Sequence, residues 1–251
     1  MDEMELLMQL HLNNDRQGPG GTAETHLALE LCRLHANFNR QLRVIDIGCG
    51  TGAQTLTIAE ELDGHITAVD LFPEFLNRLQ ERACLKGLTE KITPLQASMD
   101  NLPFKEESFD LIWSEGAVYN IGFKKGTAYW HKFLKPGGLI AVSEISWLTE
   151  ERPKVIEQYW KKAYPEIDTI PAKIHVLEES GYMPIAHFVL PEHCWIENYY
   201  LPLLQAHTYF LKQNQYSTES LTLVKADEEE YTHYQQYKSY YSYGFYIAKK
   251  I

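Results

Sequence analysis

The segment Leu42-Arg43-Val44-Ile45-Asp46-Ile47-Gly48-Cys49-Gly50-Thr51-Gly52 runs from a short apolar stretch into glycines at alternate positions. An apolar run of this length suits a strand buried on both faces of a parallel sheet, and the glycines permit a sharp turn after it. Strand and helix then alternate. A helix is expected over about 54–62, a strand over 66–70, a helix over 73–85 opened by Pro73, and a strand over 91–96. A fourth strand follows at 109–113, a helix at 125–134, and Pro136-Gly137-Gly138 as a turn feeding a fifth strand at 139–142. Repeated strand–helix units with short connections predict an α/β fold of the Rossmann-like, doubly wound kind, a mostly parallel sheet covered on both faces. Residues 1–41 read as N-terminal cap helices with a glycine-rich hinge at 18–22, so the cap is expected to be mobile. Residues 42–251 read as one domain with helical insertions at about 146–171 and 191–240, a sixth strand at 182–190 and a last strand at 243–248.

Composition narrows the function. The 251 residues carry 34 Asp and Glu against 23 Lys and Arg, a formal charge of −11, and no basic run of five to eight residues exists to hold nucleic acid. The four cysteines form no C-x-x-C pair and no zinc spacing, so free thiols and no metal are expected. The start, Met1-Asp2-Glu3-Met4-Glu5, is acidic where a secretory signal is basic, and no apolar run of about 18 residues can span a bilayer. The expected location is cytoplasmic.

The glycine loop carries the chemistry. A turn of this kind between a strand and a helix brings backbone N–H groups against a ligand beside a helix N-terminus. Asp46, at the carboxyl end of an apolar strand, needs a cation or hydrogen-bond donors, and a ligand ammonium would serve. Asp70 ends the second strand 20 residues beyond Gly50, where a carboxylate accepts from two ribose hydroxyls. The bland readings are a capping carboxylate for Asp46 and a turn residue for Asp70. A nicotinamide-dependent oxidoreductase would share the glycine turn and the ribose carboxylate. Asp46 separates the two cofactors, because a carboxylate below the loop suits an ammonium better than a pyrophosphate.

From Leu42 to Ile145 the sequence resembles the class I S-adenosylmethionine-dependent methyltransferases. The resemblance rests on the Asp46 glycine loop, Asp70, the segment Ala97-Ser98-Met99-Asp100-Asn101-Leu102-Pro103-Phe104, Phe109-Asp110, and Lys135-Pro136-Gly137-Gly138, in that order. It is similar above all to the ubiquinone and menaquinone biosynthesis C-methyltransferases, whose third segment commonly reads Gly-Asp-Ala-x-x-Leu-Pro-Phe; here Ala97 and Ser98 replace the first Gly-Asp. The resemblance implies S-adenosylmethionine as cofactor. It implies Asp46, Gly48, Cys49, Gly50 and Gly52 around the methionine end, Asp70 at the ribose, Leu71, Ser98 and the Met99 backbone N–H at the adenine, and Ser114 beside the methionine portion.

Methyl transfer from a sulfonium needs the nucleophile aligned at about 3 Å, so a base is optional. Glu115, Tyr119 and Asn120 follow the fourth strand and are the candidate catalytic residues. None of the ten histidines stands out. Eleven of the 16 tyrosines fall from Tyr199 onward, and Tyr231, Tyr234, Tyr237 and Tyr241 recur at helical spacing. That face is expected either to pack on the sheet or a second subunit, as in a homodimer, or to form a wall over the acceptor. In the second reading Tyr119, Trp147, Trp195, Tyr199 and Tyr200 contact an aromatic or quinone-like small molecule. A non-catalytic cofactor-binding protein is the remaining alternative.

Overall fold

The computed structural model describes residues 3–38 and 40–251; Met1, Asp2 and Asn39, which belong to the expected cap, lie outside them. Two helices, α1 (Glu3–His11) and α2 (Thr22–Arg33), precede the sheet. Then come β1 (Leu42–Ile47), α3 (Ala53–Glu61), β2 (Gly64–Asp70), α4 (Pro73–Leu85), β3 (Ile92–Gln96), β4 (Phe109–Glu115), α5 (Phe123–His131) and β5 (Leu134–Trp147). The chain continues through α6 (Lys154–Ala163), β6 (Asp168–Thr169), α7 (Ile170–Glu179) and β7 (Tyr182–Val189). It ends with α8 (Glu192–Trp195), a π-helical turn at Ile196–Tyr200, α9 (Leu201–Gln213), α10 (Thr218–Tyr237) and β8 (Tyr241–Lys250).

The strands lie in the order β3-β2-β1-β4-β5-β8-β7, with β6 beside β5. The pairs from β3 to β5 are parallel, and β8 runs antiparallel to both β5 and β7. Both faces are covered, as the apolar runs required. Along β1, Val44 points into one core and Ile45 and Ile47 into the other; along β4, Leu111 and Trp113 alternate with Phe109 and Ile112 in the same way. After β1 the chain winds outward to β2 and β3, and it returns across β1 to β4 before winding the other way. The connections leaving β1 and β4 therefore diverge and open a crevice at the carboxyl ends of the strands.

Several expectations shift. The Pro136-Gly137-Gly138 turn lies inside β5 as an irregularity: Phe109 pairs with Leu134 but Leu111 with Leu139, so residues 135–138 bulge opposite Asp110. Asp110 gathers the Arg43 N–H at 2.9 Å, Lys135 at 2.9 Å and Arg40 at 2.6 Å, which pins this end of β1, β4 and β5. Tyr241 opens β8 and does not belong to α10. The tyrosine face of α10 packs within its own chain, with Tyr234 buried and Tyr231 and Tyr237 against the same core.

Two residues expected to contact an acceptor are core residues. Trp147 is buried with Arg152 stacked over it, 4.4 Å from the ring centroid. Trp195 stacks on Tyr234 at 4.5 Å, meets Tyr243 edge-on at 4.9 Å, and donates its indole N–H to Ser242 Oγ at 2.9 Å. The long insertion has to cover one sheet face, and its largest rings supply the area. Among the described residues no helix is long and apolar enough to cross a membrane. Trp195→Ala is expected to cost about 3–5 kcal/mol of stability, read as a fall in the urea midpoint.

Candidate functional site

A cavity of about 500 Å³ lies over the β1–β4 crevice. Its floor is the glycine loop, where Gly48, Gly50 and Gly52 have φ of +76°, +54° and +86°. Side chains there would collide: a Cβ on Gly48 would meet the Ala117 Cβ at 2.3 Å, and one on Gly50 the Gln17 Oε1 at 2.1 Å. Gly52, which caps α3, is excluded from the cavity wall, and its missing Cβ leaves room for Leu79.

The loop was expected to offer its N–H groups to a ligand, but it spends them internally. Those of Gly48 and Cys49 bond to Val69 O, Gly50 to Asp70 Oδ2 at 2.8 Å, Thr51 to Gln17 Oε1 at 2.9 Å, and Gly52 to Cys49 O. The loop is therefore a cradle made by absent side chains. Cys49 lines it, with burial and the nearby carboxylates Asp70 and Asp46 pushing its thiol well above the ordinary range.

Asp46 also departs from expectation, because it is fully buried and forms no part of the cavity wall. It accepts from Thr55 Oγ1 at 2.6 Å and sits 3.5 Å from Gln54 Nε2, while Gln54 itself reaches the wall. The physical reason is its inward position under α3, whose second and third residues supply the donors. Burial pushes its carboxyl up to about 7 against the Thr55 hydrogen bond. Ser114 is likewise sealed: it donates to Ile47 O at 2.8 Å, stitching β4 to β1, and does not line the cavity.

Asp70 stands on the wall with each oxygen held by a backbone N–H, Oδ2 by Gly50 and Oδ1 by Phe72 at 3.0 Å. Burial raises its pKa, partly offset by those N–H groups. Remaining lone pairs leave it able to accept further bonds. Leu71, Ser98 and Met99 line the neighbouring wall; the Ser98 hydroxyl donates to Asp100 at 2.6 Å, which leaves its oxygen free to accept.

Glu115 reaches the cavity but is fully committed. Arg16 pairs with it at 2.8 Å, Thr25 donates at 2.7 Å and the Trp113 indole at 2.9 Å. Three donors from three segments of the chain leave little of this carboxylate open to a ligand. Tyr119 and Asn120 line the cavity; Asn120 donates to Ala117 O at 2.9 Å, and burial and then the Glu230 charge raise the Tyr119 phenol. The π-helical turn separates two adjacent rings: Tyr199 faces the cavity, stacked on His11, while Tyr200 is buried and donates to Glu230 Oε1 at 2.9 Å. Tyr200 therefore acts on the site only through Glu230.

The sequence did not single out Arg16, Gln17, Gln54, Asp227 or Glu230, all on this wall. Gln17 ties the expected mobile cap to the loop, its amide donating to Thr51 Oγ1, His11 O and Asn14 O. Away from the cavity, Glu24, His193 and Cys194 bring three ligand atoms within 4.8 Å of one another. Their contacts, 3.3 Å between His193 and Glu24 and 3.7 Å between Cys194 and His193, join α2 to α8.

A methyltransferase-domain family model matches residues 44–138, the span from β1 to the β5 bulge. The ubiquinone/menaquinone biosynthesis C-methyltransferase of Brucella anthropi is 32% identical over 129 residues, 49% of this chain and 48% of that one. Over residues 44–138 the chain thus carries a segment of the S-adenosylmethionine-dependent methyltransferase type. An uncharacterised protein of Haemophilus influenzae is 27% identical over 192 residues, 74% of this chain and 75% of that one. A methyltransferase of Geobacter sulfurreducens, solved with S-adenosylhomocysteine, has the same fold: TM-score 0.81 at 16% identity, covering 98% of each chain. The chain spans under two thirds of the length of the curated methyltransferases it matches by name, 30% and 29% in two cases.

Two measurements test this site. Asp70→Ala is expected to weaken S-adenosylhomocysteine binding more than tenfold by calorimetry. For Asp46, a native-state pKa above the unfolded value means the native state binds the proton more tightly, so its own contribution to stability is greatest below about pH 4 and is lost as pH rises through 7. Asp46→Asn removes that loss. Without ligand, the stability of the variant minus that of the parent should rise by on the order of 4 kcal/mol between pH 4 and pH 8.

Proposed function

We propose that this chain transfers a methyl group from S-adenosylmethionine to a small-molecule acceptor in the cavity over β1 and β4. The observation that carries this is the cradle: two left-handed glycines, Gly48 and Gly50, where no side chain fits, on the same cavity wall as a carboxylate, Asp70, at the neighbouring strand end. Gly48, Cys49 and Gly50 give the cofactor a close approach, Asp70 accepts from its ribose hydroxyls, and Ser98, Leu71 and Met99 border its nucleobase. Gln54, exposed to the cavity where Asp46 is not, offers its amide to the amino-acid end. When bound, the cofactor supplies an electrophilic methyl group on a sulfonium.

The protein's contribution is alignment and exclusion of water. Helix α1 and the segment through Gln17 lie over the cavity and belong to the same packing unit as α9 and α10, through Leu6, Leu10, Leu203 and Phe210. Tyr119 and Tyr199 give the acceptor two aromatic surfaces, which favours an acceptor with a flat or apolar body. The quinone-like reading draws on the same rings and on the name of the Brucella relative. With a net charge of −11 and Arg16 already paired, a nucleic acid or other polyanion is a poor acceptor.

Calorimetry with S-adenosylhomocysteine and, separately, NAD in one buffer tests the cofactor. Micromolar binding of the former alone is expected, and binding of NAD alone would replace this reading with the oxidoreductase.

A further inference from the structure

The wall contributed by α10 carries two carboxylates, Asp227 and Glu230, one helical turn apart. Asp227 is partnered by His207 at 3.2 Å. Glu230 receives the Tyr200 hydroxyl at 2.9 Å, and among the described residues no cationic side chain pairs with it. The other acids of the cavity are satisfied differently, Glu115 by Arg16 and Asp70 by two backbone N–H groups. Glu230 is thus the carboxylate of this cavity left with room for a cation from outside the protein.

Its surroundings suit one. Tyr119 and Tyr199 line the same cavity, and burial, then the Glu230 charge, holds both phenols protonated. They present π faces and O–H groups, not phenolates, and aromatic faces beside a carboxylate attract an ammonium. His11, stacked on Tyr199, is kept neutral by its burial and so does not repel it. From α1, Met4, Leu7 and Met8 add apolar surface to the same cavity.

We propose that the acceptor is a primary or secondary amine on an apolar, aromatic body, bound as its ammonium by Glu230, which then takes the proton that must leave before nitrogen can be methylated. This rests on the methyltransferase reading. An ammonium has no free electron pair to attack with. One N–H bond breaks, its electron pair stays on nitrogen, and the proton passes to a Glu230 oxygen. The nitrogen pair then forms the new N–C bond as the methyl C–S bond breaks, and that pair returns to sulfur. The products are a methylated ammonium and a neutral thioether, and the Glu230 proton returns to solvent. Burial pushes the Glu230 carboxyl up to about 7 despite the Tyr200 hydrogen bond, with the Asp227 charge adding to the rise, a value matched to taking and releasing a proton near neutral pH.

The test needs no turnover. On protein saturated with S-adenosylhomocysteine, binding of phenethylamine, tyramine and tryptamine is measured by calorimetry beside the alcohol matched to each. The amines should bind at least tenfold more tightly than their alcohols. Glu230→Gln, which keeps an acceptor for Tyr200, should abolish that preference while leaving the affinity for S-adenosylhomocysteine unchanged and the unfolding midpoint no lower than the parent's. Labelled methyl from the cofactor should appear on the amines with the parent protein and fall at least a hundredfold with Glu230→Gln. Equal binding of amines and alcohols, an amine preference that survives Glu230→Gln, or no binding by any of the six would overturn the proposal. Failure of S-adenosylhomocysteine to bind the parent is a separate outcome and overturns the methyltransferase reading beneath it.

Discussion

The approach of Gly48 to Ala117 is the contact on which the site depends. The connections after β1 and β4 leave the sheet in opposite directions, and these two residues are where they still touch, so closely that one added carbon would lie 2.3 Å from the Ala117 Cβ. The crevice beyond them exists because the strand order reverses here, and its depth is set by backbone. Every N–H of the loop from Gly48 to Gly52 is satisfied within the protein, so the loop keeps its shape without a ligand. A preformed cradle of this kind spends less of a ligand's binding energy on ordering the chain.

Acidic side chains crowd the same edge of the sheet, and each is stabilised by a different means. Asp46 has a hydroxyl and an amide, Asp70 two N–H groups, and Glu115 a guanidinium. Glu144 on β5 has Lys173 at 3.6 Å, in surroundings whose burial pushes its carboxyl up to about 7. Only Glu230 among them relies on a single tyrosine hydroxyl. Buried carboxylates without donors or counter-charges would protonate, so the way each is satisfied says which are structural and which can respond to a ligand. Arg16 is decisive in this respect, since its ion pair with Glu115 fastens the N-terminal segment over the cavity.

The fold was legible because both faces of the parallel strands are buried, so 42–47, 66–70 and 109–113 read as apolar runs whose ends are marked by Gly, Pro or Asp. The bulge in β5 was not, since Pro-Gly-Gly reads as a turn whether or not pairing resumes on the same strand. In the site, residues placed by the glycine loop and strand ends were found from the sequence, but the direction in which each side chain points was not. Asp46 and Ser114 fall at strand ends yet face inward, and Trp147, Trp195 and Tyr200 belong to the core that covers the sheet. The opposite error hid Glu230. It stands last in Asp227-Glu228-Glu229-Glu230, a run that reads as a solvated helix face. Its spacing of four from Tyr234, a buried residue of the same helix, is the signal that it faces inward.

Residues near both ends of the chain line the cavity, and α1 joins the two walls they form. Helix α1 packs on α9 and α10, which carry Glu230 and the turn presenting Tyr199, while Gln17, a few residues on, holds the glycine loop at Thr51. Any displacement of α1 would disturb either the Leu6–Leu10–Phe210 packing or the Gln17 bonds. The first would displace the acceptor wall and the second the cradle. Contacts that hold α1 in place at one wall therefore also hold it in place at the other.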